Sequence, residues 1–245
     1  MKDEGNARFY DSDSREYDAK RWQSKAGWYN NERQQQIVSE LTESWHSLRL
    51  IEVGPGTARF TIPLARKGNR LTIIDVSAAM IEKAQTRIAE EGLAASIEQA
   101  ICASVYELPV KDGQFDCAVC LNVISHLERP AAALQEFGRV LRPGGLLLFN
   151  YPNLHSFYRP YARKVNASAR AVSENVYSVW QRPADVKRWL KNAGLELMTQ
   201  RGHAHVPRAL DRHGVLGVIK LLDGISSRFP LQRFAPVHFC LCRKL

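Results

Sequence analysis

Apolar residues fall along this chain in two alternating rhythms. Short apolar runs recur at LRLIEV (48–53), LTIID (71–75), SIEQAIC (96–102), FDCAVCL (115–121), LLLFNY (146–151), LELMTQ (195–200) and VHFCLCR (237–243). Runs of this length bounded by polar or turn residues read as strands. Between them the spacing changes to that of helices. Ile37, Val38, Leu41 and Trp45 predict a helix over about 31–46. Phe60, Ile62, Leu64 and Ala65 predict another. Ser77 is placed to cap a third, carrying Met80, Ile81, Ala84 and Ile88 and closed by Gly92. A fourth runs over about 130–141, from Pro130 to the stop at Pro143-Gly144-Gly145.

After Tyr151 the pattern loosens. Residues 153–170 read as helical, and 183–193 as a helix with Pro183 in its first turn and Gly194 past its end. Residues 203–236 are too long for a plain connection and contain VLGVIKLL (215–222), which predicts an insertion bearing an amphipathic helix. Residues 1–30 are polar with scattered aromatics and read as an N-terminal flap. Strands alternating with helices predict an α/β fold: a seven-stranded, mostly parallel sheet with helices on both faces. The expected organisation is one domain over 1–245, with a core over 31–153 and further segments over 154–245.

Composition narrows the class. The chain has 245 residues, 45% hydrophobic and 24% charged, enough to bury a core, which excludes a disordered chain. Mean hydropathy is −0.30. No run approaches the roughly 20 apolar residues of a membrane span, and MKDEGNARFY does not read as a signal peptide, so a cytoplasmic location is expected. The net charge of +9 is uneven: residues 1–150 hold 18 basic and 20 acidic side chains, and residues 151–245 hold 16 and 5. That excess suits an acidic partner, an anionic membrane surface touched peripherally, or a plainly solvated basic face.

Five cysteines and no leader argue against a disulfide framework. Cys117 and Cys120 form a C-x-x-C, but three residues apart on a strand they face opposite ways, so they read as core thiols.

The candidate chemistry begins at Glu52-Val53-Gly54-Pro55-Gly56-Thr57-Ala58, closing a strand and opening a helix. Glycines there let the backbone approach a ligand. Asp75 ends the second strand 19 residues after Gly56, where a carboxylate suits two ribose hydroxyls. A dinucleotide fingerprint would want a third glycine where Arg59 stands. Glu52 suits a cofactor bearing an amino group better than one bearing a pyrophosphate, so the spacing leans toward S-adenosylmethionine.

The strings LIEVGPGTARFTIPLA, IIDVSAAMIEKA, YELPVKDGQFDCAVCLNVISHLERP and LRPGGLLLFNYPN, in this order over about 48–153, resemble the Rossmann-like class I S-adenosylmethionine-dependent methyltransferases of the UbiE/UbiG-like, type 11 group. The resemblance implies transfer of a methyl group from S-adenosylmethionine, leaving S-adenosylhomocysteine, to a small or medium-sized acceptor. It implies that Glu52, Gly54, Pro55, Gly56 and Thr57 lie under the methionine part and that Asp75 binds the ribose. Val76 and Met80 would flank the adenine, Ser104 and Val105 would meet its amino edge, and Leu121 and Asn122 would lie beside the methyl. Two residues depart from the family pattern: Ala58 stands at a common third glycine, and Ser104 replaces the usual carboxylate.

Plainer readings stand beside these. Asp75 or Asn122 could cap the helix that follows, and Met80 could be plain core. A hydroxyl or ammonium acceptor needs a base; His126 and His155 are the first candidates, followed by His203 and His205. Tyr17 and Trp22, with Tyr10, could close over the methyl. Tyr151, Tyr158, Arg159 and Arg163 are the candidate contacts for an anionic or lipid-like acceptor. No set of His, Cys, Asp or Glu has metal-ligand spacing on one face.

Rival readings are a nucleic-acid methyltransferase, a cofactor-binding regulator without activity, and a dehydrogenase. The string Leu121-Asn122-Val123-Ile124 lacks the Asn/Asp-Pro-Pro-aromatic pattern of amino-group methylases of nucleic acids, which makes nucleic acid the weaker partner.

Overall fold

The computed structural model describes residues 10–11, 24–169, 179–203, 217 and 231–245. Seven strands form one sheet: β1 (Arg49–Val53), β2 (Arg70–Asp75), β3 (Ile97–Cys102), β4 (Phe115–Cys120), β5 (Leu141–Pro152), β6 (Leu195–His203) and β7 (Val237–Lys244). Their order is β3-β2-β1-β4-β5-β7-β6. The first five pair in parallel, and β7 runs antiparallel between β5 and β6.

The helices are α1 (Lys25–Leu41), α2 (Thr61–Ala65), α3 (Ala78–Glu90), α4 (Pro130–Val140), α5 (Arg159–Ala169) and α6 (Pro183–Asn192). Alternate residues of the central strands feed opposite faces, because side chains alternate along a strand. Leu50, Ile73, Val119 and Leu148 pack under α1, α2 and α3, where Ile37, Leu64 and Ala84 meet them. Ile51, Ile74, Ala118 and Leu147 pack under α4 and α6, against Leu134, Phe137 and Leu190. The strands are therefore buried on both faces, as a parallel sheet requires. Cys117 lies in the first core and Cys120 in the second, as their spacing predicts.

Several boundaries move. The first helix begins at Lys25, inside the expected flap, because Ser24 Oγ accepts the Gly27 N–H at 3.0 Å and caps it. It ends at Leu41, so Trp45 lies past the helix yet is buried. Strand β5 starts at Leu141 rather than after Gly145, with a register shift against β4 absorbing Pro143-Gly144-Gly145. The insertion expected over 203–236 begins later, since β6 runs to His203. Its VLGVIKLL segment lies outside the described residues apart from Gly217. Among the described residues, no helix is long and apolar enough to cross a membrane.

Candidate active site

The strand order reverses between β1 and β4, and a crevice opens beyond their carboxyl ends, the usual ligand position in open α/β sheets. One wall is the Gly54–Thr57 loop, all four residues of which line the cleft. Gly54 has φ +74°, and its N–H donates to Ile74 O at 2.8 Å, tying the loop to β2. A Cβ there would lie 2.3 Å from Val123 Cγ2, so only glycine lets the loops after β1 and β4 approach this closely. Ala58, where the family often has glycine, takes the same left-handed backbone at φ +59°. That conformation costs an alanine roughly 1–2 kcal/mol, and the loop retains it with Ala58 fully buried. Residues 56–60 form turns, and α2 starts only at Thr61, so the helix does not follow the glycines directly.

Asp75 forms the second wall. It is 8% exposed and lines the cleft at the end of β2. Its Oδ1 accepts the Ser77 N–H at 3.0 Å. Burial raises its pKa to about 6, against the pull of the backbone N–H groups of Ser77, Gly56 and Val76. Asp75 thereby joins the first and second loops. The cap of α3 is Ser77, whose Oγ accepts the Met80 N–H at 3.1 Å.

Glu52 lies beneath the loop, 2% exposed, and does not itself line the cleft. Burial pushes its pKa up to about 7, while the Thr61 hydroxyl and the Arg59 charge favour the ionised form. Among the described residues, Thr61 Oγ1 and Glu52 Oε2 nevertheless make no hydrogen bond. The result is a buried carboxylate with an unmet oxygen under a glycine loop, which suits a cationic ligand above it.

Val76, Met80, Ser104 and Val105 line the side beyond Asp75. Ser104 Oγ accepts the Tyr106 N–H at 3.3 Å. Met80 is 1% exposed and serves core and cleft wall together. The third wall follows β4: Leu121, Asn122 and His126 line it. Asn122 caps no helix; the short 3-10 turn Ile124–His126 has no side-chain cap. Its backbone is left-handed, φ +60°, and its side chain bonds to Asn150 and Gln34.

Other expected residues lie elsewhere. Tyr151 does not line the cleft: it is 2% exposed in the core, its hydroxyl 3.0 Å from His238 Nδ1, because near the end of β5 it is still paired with β7 and its ring packs into the core. His155, Arg159 and Arg163 line a separate depression together with Arg182. Tyr158 is half-buried and lines neither. His203 is buried in β6. Tyr17, Trp22 and His205 lie outside the described residues. Among the described residues, no group of three His, Cys, Asp or Glu is placed to hold a metal ion.

Tyr10, one of the aromatics expected to close over the methyl, reaches the cleft, its ring edge-on to His126 at 6.2 Å. Two further residues of this region carried no signal in the sequence. Asp11 Oδ1 accepts the Ser77 hydroxyl at 2.5 Å, anchoring this segment at the start of α3. Arg59 lines the cleft and donates to Asn31 Oδ1 and Gln34 Oε1, both at 2.9 Å.

Comparison with known proteins gives a consistent picture. Residues 51–149 match the family model described as "Methyltransferase domain". The ubiquinone biosynthesis O-methyltransferase of Nitrosococcus oceani is 29% identical over 164 residues, covering 65% of this chain and 68% of that protein. The protein of the same description from Xanthomonas axonopodis pv. citri is 27% identical over 165 residues, covering 65% and 67%. Among solved structures, geranyl diphosphate methyltransferase in complex with SAM superposes with TM-score 0.63 at 14% identity, covering 86% of this chain and 85% of that one. The 4+2 cyclase SpnF superposes with TM-score 0.62 at 21% identity, covering 86% and 80%. At such identities these two likenesses speak for the fold, which is shared by different chemistries.

Proposed function

We propose that the chain is an S-adenosylmethionine-dependent methyltransferase, a reading supported by the methyltransferase-domain match over residues 51–149 and the similarity to O-methyltransferases, and that this cleft holds the donor and directs its methyl to an oxygen of a small or medium-sized anionic or amphiphilic acceptor. Bound there, the donor supplies an electrophilic methyl on a sulfonium. Gly54, Pro55, Gly56 and Thr57 cradle the methionine part, over the buried Glu52. Asp75 accepts from the ribose hydroxyls, Val76, Met80 and Val105 enclose the adenine, and Ser104 stands at its edge. Leu121 and Asn122 face the methyl. Holding the acceptor close and in line, away from water, supplies most of the acceleration in such a displacement. His126, the histidine that lines this cleft among the described residues, takes the proton from the acceptor hydroxyl. The choice of oxygen rests on the similarity to O-methyltransferases of ubiquinone biosynthesis.

The observation that carries the reading is Asp75: a buried carboxylate at the end of β2, hydrogen-bonded to the next loop and open to the cleft. Titration calorimetry with S-adenosylhomocysteine tests it. Wild type should bind saturably, and Asp75→Ala should weaken binding by about 1–3 kcal/mol, the cost of losing hydrogen bonds to a charged acceptor. Equal affinity in the two proteins would remove Asp75 from the site.

A further inference from the structure

Several described arginines pair with a carboxylate. Arg139 meets Glu136 and Asp112, Arg142 meets Asp116, and Arg243 meets Glu196. The depression beside α5 differs. Arg159 and Arg163 line one side, Arg182 and His155 line it too, and among the described residues no carboxylate does. Among the described residues, none of these three arginine side chains makes a hydrogen bond or ion pair.

The arrangement is a built one. Arg159 and Arg163 stand one turn apart on the same face of α5, where like charges repel. Asn166, on that face and also lining the depression, donates to Trp180 O at 3.0 Å and accepts the Trp180 N–H at 2.7 Å. These two bonds fix the segment leading to Arg182 against α5, so the facing guanidiniums keep their spacing. A single carboxylate is satisfied by one guanidinium fork. Three forks and an imidazole call for a group with more oxygens and more charge, which is a phosphate ester or diphosphate.

The same segment connects the depression to the cleft. The Val179 N–H donates to Ser125 O at 2.8 Å, and Ser125 precedes His126 in the cleft wall. Arg182 follows three residues later, at most about 10 Å along an extended chain.

We propose that the depression formed by His155, Arg159, Arg163 and Arg182 binds the phosphate or diphosphate group of the methyl acceptor, whose reacting atom extends into the neighbouring cleft. This assignment rests on the methyltransferase reading of the cleft. It deepens that reading by placing the acceptor's anionic end in a second subsite, roughly a medium-sized molecule's length away.

Calorimetry with inorganic pyrophosphate on the full chain tests the subsite. Sedimentation with phosphatidylcholine vesicles containing phosphatidic acid distinguishes a soluble phosphate from a lipid headgroup. Wild type should bind one of these probes, and the triple variant Arg159→Gln/Arg163→Gln/Arg182→Gln should lose at least tenfold in that affinity. Binding of pyrophosphate assigns a soluble source, and binding of vesicles alone assigns a headgroup. Both should weaken with added salt. Arg163→Gln alone, at an exposed position, should give an intermediate loss and guards against a folding artefact in the triple variant. S-adenosylhomocysteine affinity should be unchanged throughout, so failure of the cleft reading would show separately as absent S-adenosylhomocysteine binding in wild type. Wild type that binds neither probe, or a triple variant that binds as wild type does, overturns the subsite.

Discussion

Asn150 and Asn122 hold each other across the ends of β5 and β4. Asn150 Oδ1 accepts the Asn122 backbone N–H at 2.6 Å, and Asn150 Nδ2 donates to Asn122 Oδ1 at 3.0 Å. The grip continues outward, since Asn122 Nδ2 donates to Gln34 Oε1 at 3.2 Å and Arg59 donates to the same oxygen. Asn122 sits at φ +60°. Asparagine tolerates that region better than most residues, but it still needs support. The network therefore fixes a strained residue in the cleft wall through partners on α1 and β5.

Asn150→Leu should thus act through Asn122. Loss of the partner leaves a buried N–H unmet, destabilising the fold by about 1–3 kcal/mol. Turnover should fall, while S-adenosylhomocysteine binding, which rests on the other two walls, should change little. Urea unfolding and steady-state kinetics check the two parts. Asn122→Gly, which accepts positive φ freely, should recover part of the turnover in the Asn150→Leu background. Identical kinetics in wild type and Asn150→Leu would show that the grip is dispensable.

Glu52 makes the stability of the ligand-free protein depend on pH. Its pKa rises from the ordinary 4.5 to about 7, with burial as the main cause. The native state therefore keeps a proton that the unfolded chain has released between those values. The stabilisation is complete below pH 4.5 and declines as pH rises through 7. On the scale of 1.36 kcal/mol per pKa unit, this amounts to roughly 3 kcal/mol. Asp75, raised to about 6, adds a decline of the same sign. Urea unfolding at pH 5 and pH 8 should show the loss, and Glu52→Gln should show a smaller one. A variant with the wild-type slope would mean that Glu52 is already ionised in the native state.

The sheet was legible because its evidence is local. A buried parallel strand needs an apolar run, and each of the seven runs became a strand. The placement of the glycine loop and Asp75 on the cleft was legible for the same reason, since each lies within a few residues of a strand end. Contacts made far along the chain were not. Gln34 and Asn122 meet across 88 residues, and a polar residue on a helix gives no sign of which distant loop it will bond. Tyr151 looked like a substrate contact because it ends an apolar run beside a loop, yet antiparallel β7 covers it, with His238 as its pair in the register. Pro143-Gly144-Gly145 looked like a stop because these residues mark turns, but a register shift carried the strand through them.

Asp75 also predicts how donor binding responds to pH. Ribose hydroxyls donate to a carboxylate, and a protonated carboxyl accepts more weakly. Burial places its pKa at about 6 in the ligand-free protein. S-adenosylhomocysteine affinity should therefore weaken as pH falls from 7 to 5. In Asp75→Asn, which does not titrate, that part of the pH dependence should vanish. Calorimetry at pH 5, 6 and 7 measures it; parallel pH profiles in the two proteins would assign the dependence to another group.

His126 sets the last expectation. It lines the cleft beside the loop after β4, with Tyr10 packed edge-on against its ring. General-base help of this kind contributes typically 10²–10⁴ in rate. His126→Gln removes the base but keeps a polar side chain of similar reach. Turnover of the acceptor should fall by about 10² or more, while S-adenosylhomocysteine affinity stays within about twofold. A purely packing histidine would give a different pattern: the variant would lose stability in urea, and what folded would turn over normally. Loss of rate at unchanged stability assigns the proton transfer to His126. Normal turnover with the acceptor bound assigns it to water or to a group elsewhere in the cleft.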